Sequence, residues 1–513
     1  MRLIATVALL SCFAHGHAVE PLVSHNLVIH EWGTFTSLQD EQGRTIGGIN
    51  TDEEKLPAFV HDLNPIPMGS DGDFSPNLIK GRDYCDPTVT MRLETPVIYV
   101  HLPLGQESAT FDLSVEFRGG ILSQFYPLAD ATVDRQPLRQ FGDEVRVGEV
   151  LKSPRGRSEP LRFLQRWSAP DLATTTTSTL TWRGIVVGGT GNVPNTTSPV
   201  WLAPRQVAAP TLTVGAEREK YLFYRGLGHL DAPLIVIRSP SNDLLEVFRR
   251  PGPGAPGVIP ALWFADLRSD GTAAFRSVSA TISPELRRGD MLGMVMPATF
   301  TEADYSAERL TVLRRELHAA IMQEGLFADE ALALLNTWEA SYFKAPGQRL
   351  FFLVPSEWTD HVLPLTLSVP ATVTRAMMGR IELVSPAQRK ALQRIAAGPV
   401  SDLGWFQRFK HERISYQEGD KTIDRPGGDA IFRRMFIDNE RGLLANLKVV
   451  VPDDYQAYLS LGRFRDALLW DAQVRTPDPE LAQFLRTYQI VWAPNGWRAA
   501  ALAGKTTASV NAP

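Results

Sequence analysis

From Ser24 to Ser37 the chain reads SHNLVIHEWGTFTS, an aliphatic, aromatic and β-branched run broken only by Gly33. That pattern predicts a β-strand. Alternation sends Val28, His30 and Trp32 to one face, and Leu27, Ile29, Glu31 and Phe35 to the other. Because both faces are apolar, the strand is expected to be covered on both sides. At least one of His30 and Glu31 should then be buried against a partner.

Period-two spacing continues to about residue 300. Thr95 to Leu102 alternates, and Phe111, Leu113, Val115 and Phe117 alternate with Asp112, Ser114, Glu116 and Arg118. Gly119-Gly120 offers a tight turn into Ile121 to Tyr126, which predicts a hairpin. Further strands are expected over 176–187, 220–224, 233–238 and 243–249, with a pair around Ser269-Asp270-Gly271. Short strands, Gly/Pro turns and no helical periods between them predict antiparallel, sandwich-like sheets over 19–300, in one or two domains.

At Thr301 the spacing changes. Thr301 with Asp304 resembles a capping box, and Leu310, Leu313, Leu317 and Ile321 recur at helical intervals until Gly325. A second helix is expected from Asp329 to Tyr342, with Leu332, Leu335 and Trp338 facing inward. Strands over 349–354 and 362–369 make 301–400 an α+β region, and Ser385-Pro386-Ala387-Gln388 opens another helix. The part from 401 to 513 reads as mostly helical, with segments near 430–436, 453–460 and 479–488 and a frayed tail after Ala499.

The first residues change the setting. Met1-Arg2, the apolar Leu3 to Leu10 and the small-residue Gly16-His17-Ala18 read as an export signal over 1–18, so a periplasmic or extracellular site is expected. Leu9-Leu10-Ser11-Cys12 offers an alternative, a lipid anchor on Cys12. No later run approaches the ~20 apolar residues of a membrane helix. Cleavage after Ala18 leaves Cys85 as the lone cysteine, so no intramolecular disulfide is expected. The carboxylates of Asp83 and Asp86 beside it disfavour a thiolate nucleophile.

At 44% hydrophobic and 21% charged, the chain can bury packed cores. A net charge of −5 without a basic stripe argues against a nucleic-acid partner. A loop-like stretch runs from Asn50 to Pro87, opened by His61-Asp62 and carrying Asp71 and Asp73 at calcium-like spacing, but no glutamate closes that pattern.

Four stretches resemble a family of exported bacterial proteins of uncharacterised function that carry an N-terminal HEWGTFTS segment. They are His30 to Ser37, Arg92 to Tyr99 (RLETPVIY), Tyr221 to Gly228 (YLFYRGLG) and Trp358 to Leu365 (WTDHVLPL). The resemblance implies export and supplies no mechanism.

No Walker loop, Gly-x-Ser-x-Gly elbow or two-histidine zinc helix occurs, and Glu31 is not followed by the second histidine of a zincin. Gly188-Gly189-Thr190-Gly191-Asn192 lacks a phosphate-loop lysine. The candidate polar site therefore rests on His30, Glu31, His61, Asp62 and His101, with His30, His61 and His101 as ligands for a divalent metal. His30 and Glu31, adjacent on a strand, cannot share one ion unless a bulge at Gly33 re-aims one of them. Glu357 and His361 could meet at i,i+4 if Ser356 caps a short helix. A second candidate pocket gathers Arg225, His229 and Asp231.

Two function classes follow. The first is a recognition module for a glycan, a peptide or another protein, using tryptophans such as Trp32, Trp182 and Trp497 as stacking surfaces. The alternative is a metal-dependent hydrolase built on the N-terminal histidines and carboxylates.

Overall fold

The computed structural model of the 513-residue chain describes residues 26–51, 56–62, 78–79, 82–83, 85–137, 172–174, 177–189, 191–239, 243–254, 261–279, 283–288, 291–398, 400–401, 413–418, 421–426, 451–488 and 490. The expected leader, Cys12, Asp71, Asp73, the segment near 430–436 and the tail lie outside them.

Nine strands form the central sheet: β1 (Leu27–Gln39), β2 (His61–Asp62), β3 (Met91–His101), β4 (Gly120–Tyr126), β5 (Leu222–Gly228), β6 (Ala261–Leu267), β7 (Ala273–Ser279), β8 (Gly347–Val354) and β9 (Ala371–Leu383). Their order is β7-β6-β8-β9-β1-β3-β5-β4-β2. The strand predicted around HEWGTFTS sits in the middle. It pairs antiparallel with β3 and parallel with β9, from Leu27 opposite Ala371 to Gln39 opposite Leu383. The sheet runs through position 300, because β8 and β9 join strands from the first half of the chain.

Each face of β1 is covered by a different layer. Ile29 and Phe35 pack against a second, antiparallel sheet built around Ala109–Arg118 and Thr177–Val187, whose Val115, Leu180 and Trp182 fill the interface. Trp32, on the opposite face, packs against helices α1 (Ala307–Gln323) and α2 (Ala328–Thr337) through Leu313, Leu317, Leu334 and Leu335. Leu38, further along that face, lies under α3 (Pro386–Ala396), α4 (Asp453–Ser460), α5 (Arg465–Arg475) and α6 (Pro479–Thr487). The fold is thus mainly β, with antiparallel sheets through the N-terminal and middle parts and helices mostly toward the C-terminus.

Local signals explain most boundaries. Ser306 caps α1 by accepting the Arg309 N–H, and Gly325 follows its end with φ +104°. The Thr301–Asp304 box exists but caps a single 3₁₀ turn, Glu302–Asp304. The Ser385–Gln388 box opens α3 as expected.

Several expectations are corrected. Ala109–Arg118 and Gly120–Tyr126 do not form a hairpin, because the chain changes sheets at Gly119, whose φ is +79°. Gly120 then packs against Phe117 so closely that a Cβ would stand 2.1 Å from its ring. Helix α2 ends at Thr337 and passes into a π-helical turn, Ala340–Lys344. Leu332 faces outward at 46% exposure, whereas Leu335 and Trp338 are buried as expected. Ser356 begins the helix Ser356–Val362 without capping it. Strand β9 was not expected, helix α5 falls in the part expected to be helical without having been singled out, and a hairpin, Arg413–Glu418 with Lys421–Pro426, lies in that same part.

Candidate metal centre

The parity of β1 decides which of its polar residues can meet. His30 opens toward the helical layer and Glu31 toward the second sheet, so the two do not converge. Gly33 is pinched by Met377 and Pro96, each 3.0 Å from where a Cβ would sit. The bulge at that point lies in β3, where Trp32 pairs with Val97 and Thr34 with Glu94. It leaves the directions of His30 and Glu31 unchanged. Both are buried, where the apolar pattern called for at least one.

His101 reaches His30 through register. It stands opposite Val28, on the face of β1 that carries His30, and the two rings lie 5.1 Å apart. The third member, Glu330, comes from the first turn of α2. There its Oε2 accepts the Phe327 N–H at 2.8 Å, so the carboxylate itself caps the helix start. Asp329 holds this turn down by accepting the Ala208 N–H at 2.8 Å.

Glu330 Oε2 lies 2.7 Å from His30 Nδ1, and Oε1 lies 2.8 Å from His101 Nε2. Burial alone would raise the carboxyl pKa, but hydrogen bonds from His101 and His30, the charge of His30 and the Phe327 amide outweigh it and hold it at about 2. An ionised carboxylate only accepts, so the two facing imidazole nitrogens are donors here.

One candidate donor atom from each of these residues lies within 4.8 Å of the other two. A tetrahedral ion with bonds near 2.0–2.2 Å spaces its ligands about 3.3 Å apart, so the two contacts to Glu330 must open by roughly half an ångström to admit one. Phe327, 49% exposed, lays its ring edgewise against both histidines at 4.6 and 4.9 Å, while His101 is only half-buried. The way in therefore lies beside His101 and under Phe327.

The other candidates are engaged elsewhere. His61 sits on β2, three strands beyond β3, which is roughly 14 Å at normal strand spacing. Its Nε2 lies 2.9 Å from both oxygens of Glu217, so His61 is removed from the expected ligand set. Asp62 follows it on β2, opposite Gln124. Glu31 accepts from Arg375 Nε at 2.5 Å and from the Tyr224 hydroxyl, and Arg375 continues to Asp360 at 3.0 Å. Burial and the Glu31 charge push the Tyr224 phenol well above its ordinary range.

Arg225, His229 and Asp231 do not form one pocket. Arg225 is buried against Gln124, His229 contacts the Thr88 carbonyl at 2.7 Å, and Asp231 takes Thr45 and Arg250. Trp32 and Trp182 are core residues rather than stacking surfaces. Among the described residues, no helix is long and apolar enough to cross a membrane.

Glu330 escaped the sequence reading because it lies 300 positions from His30 and no local motif joins them. Its one local signal is a glutamate at the third position of a helix start. Comparison with known families and with curated proteins finds no match for the chain.

Proposed function

We propose that the protein is a metal-dependent hydrolase whose divalent ion, zinc by ligand chemistry, is held by His30 Nδ1, His101 Nε2 and a Glu330 oxygen. The observation that carries this reading is the convergence of these donors from two strands and a helix. Two imidazoles and one carboxylate form a donor set of catalytic zinc, which leaves a fourth position for water or substrate. The ionised Glu330 supplies the negative charge such a ligand needs. Bound metal would lower the pKa of its water and polarise a carbonyl or phosphoryl oxygen. Phe327 would shield that position from bulk solvent, and the export expected from the N-terminal sequence would place the activity outside the cytoplasm.

The test is metal content by inductively coupled plasma mass spectrometry after incubation with zinc and desalting. About one zinc per chain is expected in the wild type, with loss in His101→Ala and Glu330→Gln variants whose circular dichroism is unchanged. No retained zinc in the wild type, or zinc undiminished in both variants, overturns the site. Iron in its place after native purification would overturn the hydrolytic class.

A further inference from the structure

Strand register decides what surrounds the opening of the triad. It sets Thr374, His30 and Tyr99 side by side in one row, and Thr372, Val28 and His101 in the next row toward the start of β1. All six side chains share the face that carries the helical layer. The α1–α2 loop roofs the inner row: a Cβ on Gly325 would stand 3.2 Å from Thr374 Cγ2, and Phe327 lays its ring edgewise on both imidazoles. The outer row, about 6.6 Å further along the strands, stays half-open, with Val28 half-buried and Thr372 exposed. A group that leaves the ion's fourth position toward solvent therefore passes between Val28 and Phe327.

The charge at this opening is negative. The four described segments that frame it, 28–30, 99–101, 324–330 and 372–374, contain no lysine or arginine, and their charged side chains are Glu324, Asp329 and Glu330. Arg375 follows Thr374 but points to the opposite face and pairs with Glu31, and His318, on α1, bonds the Ala328 carbonyl at 3.0 Å. A phosphoryl group carries charge on oxygens that arginine and lysine would match, whereas a neutral carbonyl needs only the ion.

We propose that the substrate of this site is a neutral carboxylic ester with an apolar acyl chain, its carbonyl at the ion and its chain between Val28 and Phe327. This rests on the metal-dependent reading given above. Hydrolysis consumes one water: its oxygen bonds to the carbonyl carbon, the acyl–oxygen bond breaks, and the leaving oxygen takes a proton. Removal of the chain from water beside Val28 and Phe327 gives the preference for longer acyl groups.

Isothermal titration of the zinc-loaded full chain with octanohydroxamate and acetohydroxamate, which carry the same zinc-binding head on long and short acyl chains, tests this. The long chain should bind at least tenfold tighter, and that ratio should fall at least threefold in Val28→Asn and in Phe327→Ala. If Val28→Asn unfolds, Phe327→Ala carries the comparison. Zinc-dependent kcat/KM should be at least tenfold higher for p-nitrophenyl butyrate than for p-nitrophenyl phosphate. Equal affinity for the two hydroxamates, a ratio unchanged in the folded variants, no zinc-dependent turnover of the ester, or faster turnover of the phosphate each overturns the ester proposal while the metal site stands. Zinc not retained by the wild type overturns the metal reading itself, and this proposal with it.

Discussion

His30 and Glu330 are 300 positions apart in sequence, and their Nδ1 and Oε2 atoms are 2.7 Å apart in the fold. A buried carboxylate survives in that place only because donors surround it, and its low pKa makes the contact pH-dependent. A group whose pKa is depressed by folding stabilises above its unfolded value. That contribution is lost as pH falls from the ordinary carboxylate range toward about 2. In metal-free protein it is on the order of 3 kcal/mol. Urea midpoints of wild type and Glu330→Gln should differ at pH 5, and the gap should narrow as pH falls from there. A gap indifferent to pH would show that the charge of Glu330 is not responsible.

Phe327 covers the triad without donating a ligand atom. Phe327→Ala keeps the backbone N–H that holds Glu330, so zinc should still bind. Its transfer to a chromogenic chelator, followed by stopped flow, should be several-fold faster than in the wild type. Equal rates would mean that the ring does not gate access.

The pair of Glu31 and Arg375 is buried on the opposite face of β1. Arg375→Met removes one member and leaves the other charged and without its cation, at a cost of about 3–5 kcal/mol. Chemical denaturation measures this directly. A loss below 1 kcal/mol would show that water reaches Glu31.

Helix phase supplies a paired test on α2. Leu332→Ser changes an outward residue and should cost less than about 0.5 kcal/mol, whereas Leu335→Ala opens the core and should cost about 2–5 kcal/mol. Similar values for the two would contradict the rotation of α2 that aims Glu330 at His30.

Alternation and capping made a good part of this architecture legible. The strand at Leu27, the burial of His30 and Glu31 on opposite faces, the Ser385 cap and the helix over Asp453–Ser460 all follow from short-range rules. Strand β9 did not, because Arg375, Arg380 and Glu382 make it read as a solvated segment. In the fold these charges are matched by Glu31, Glu94 and Arg349. Two of the three site residues were legible for the same reason: His30 and His101 stand on strands with clear periods. Their meeting with Glu330 depends on which helix covers which face, and local spacing carries no such information.

The parallel pairing of β1 with β9 has a consequence for the life of the chain before it is folded. Until residue 383 is available, the middle strand of the central sheet lacks one neighbour along its whole length and presents an unsatisfied ladder flanked by Val, Ile, Trp and Phe. Such an edge is a template for self-association, and its partner arrives more than 300 residues later. Truncation before β9 should therefore yield insoluble aggregates rather than a smaller folded protein.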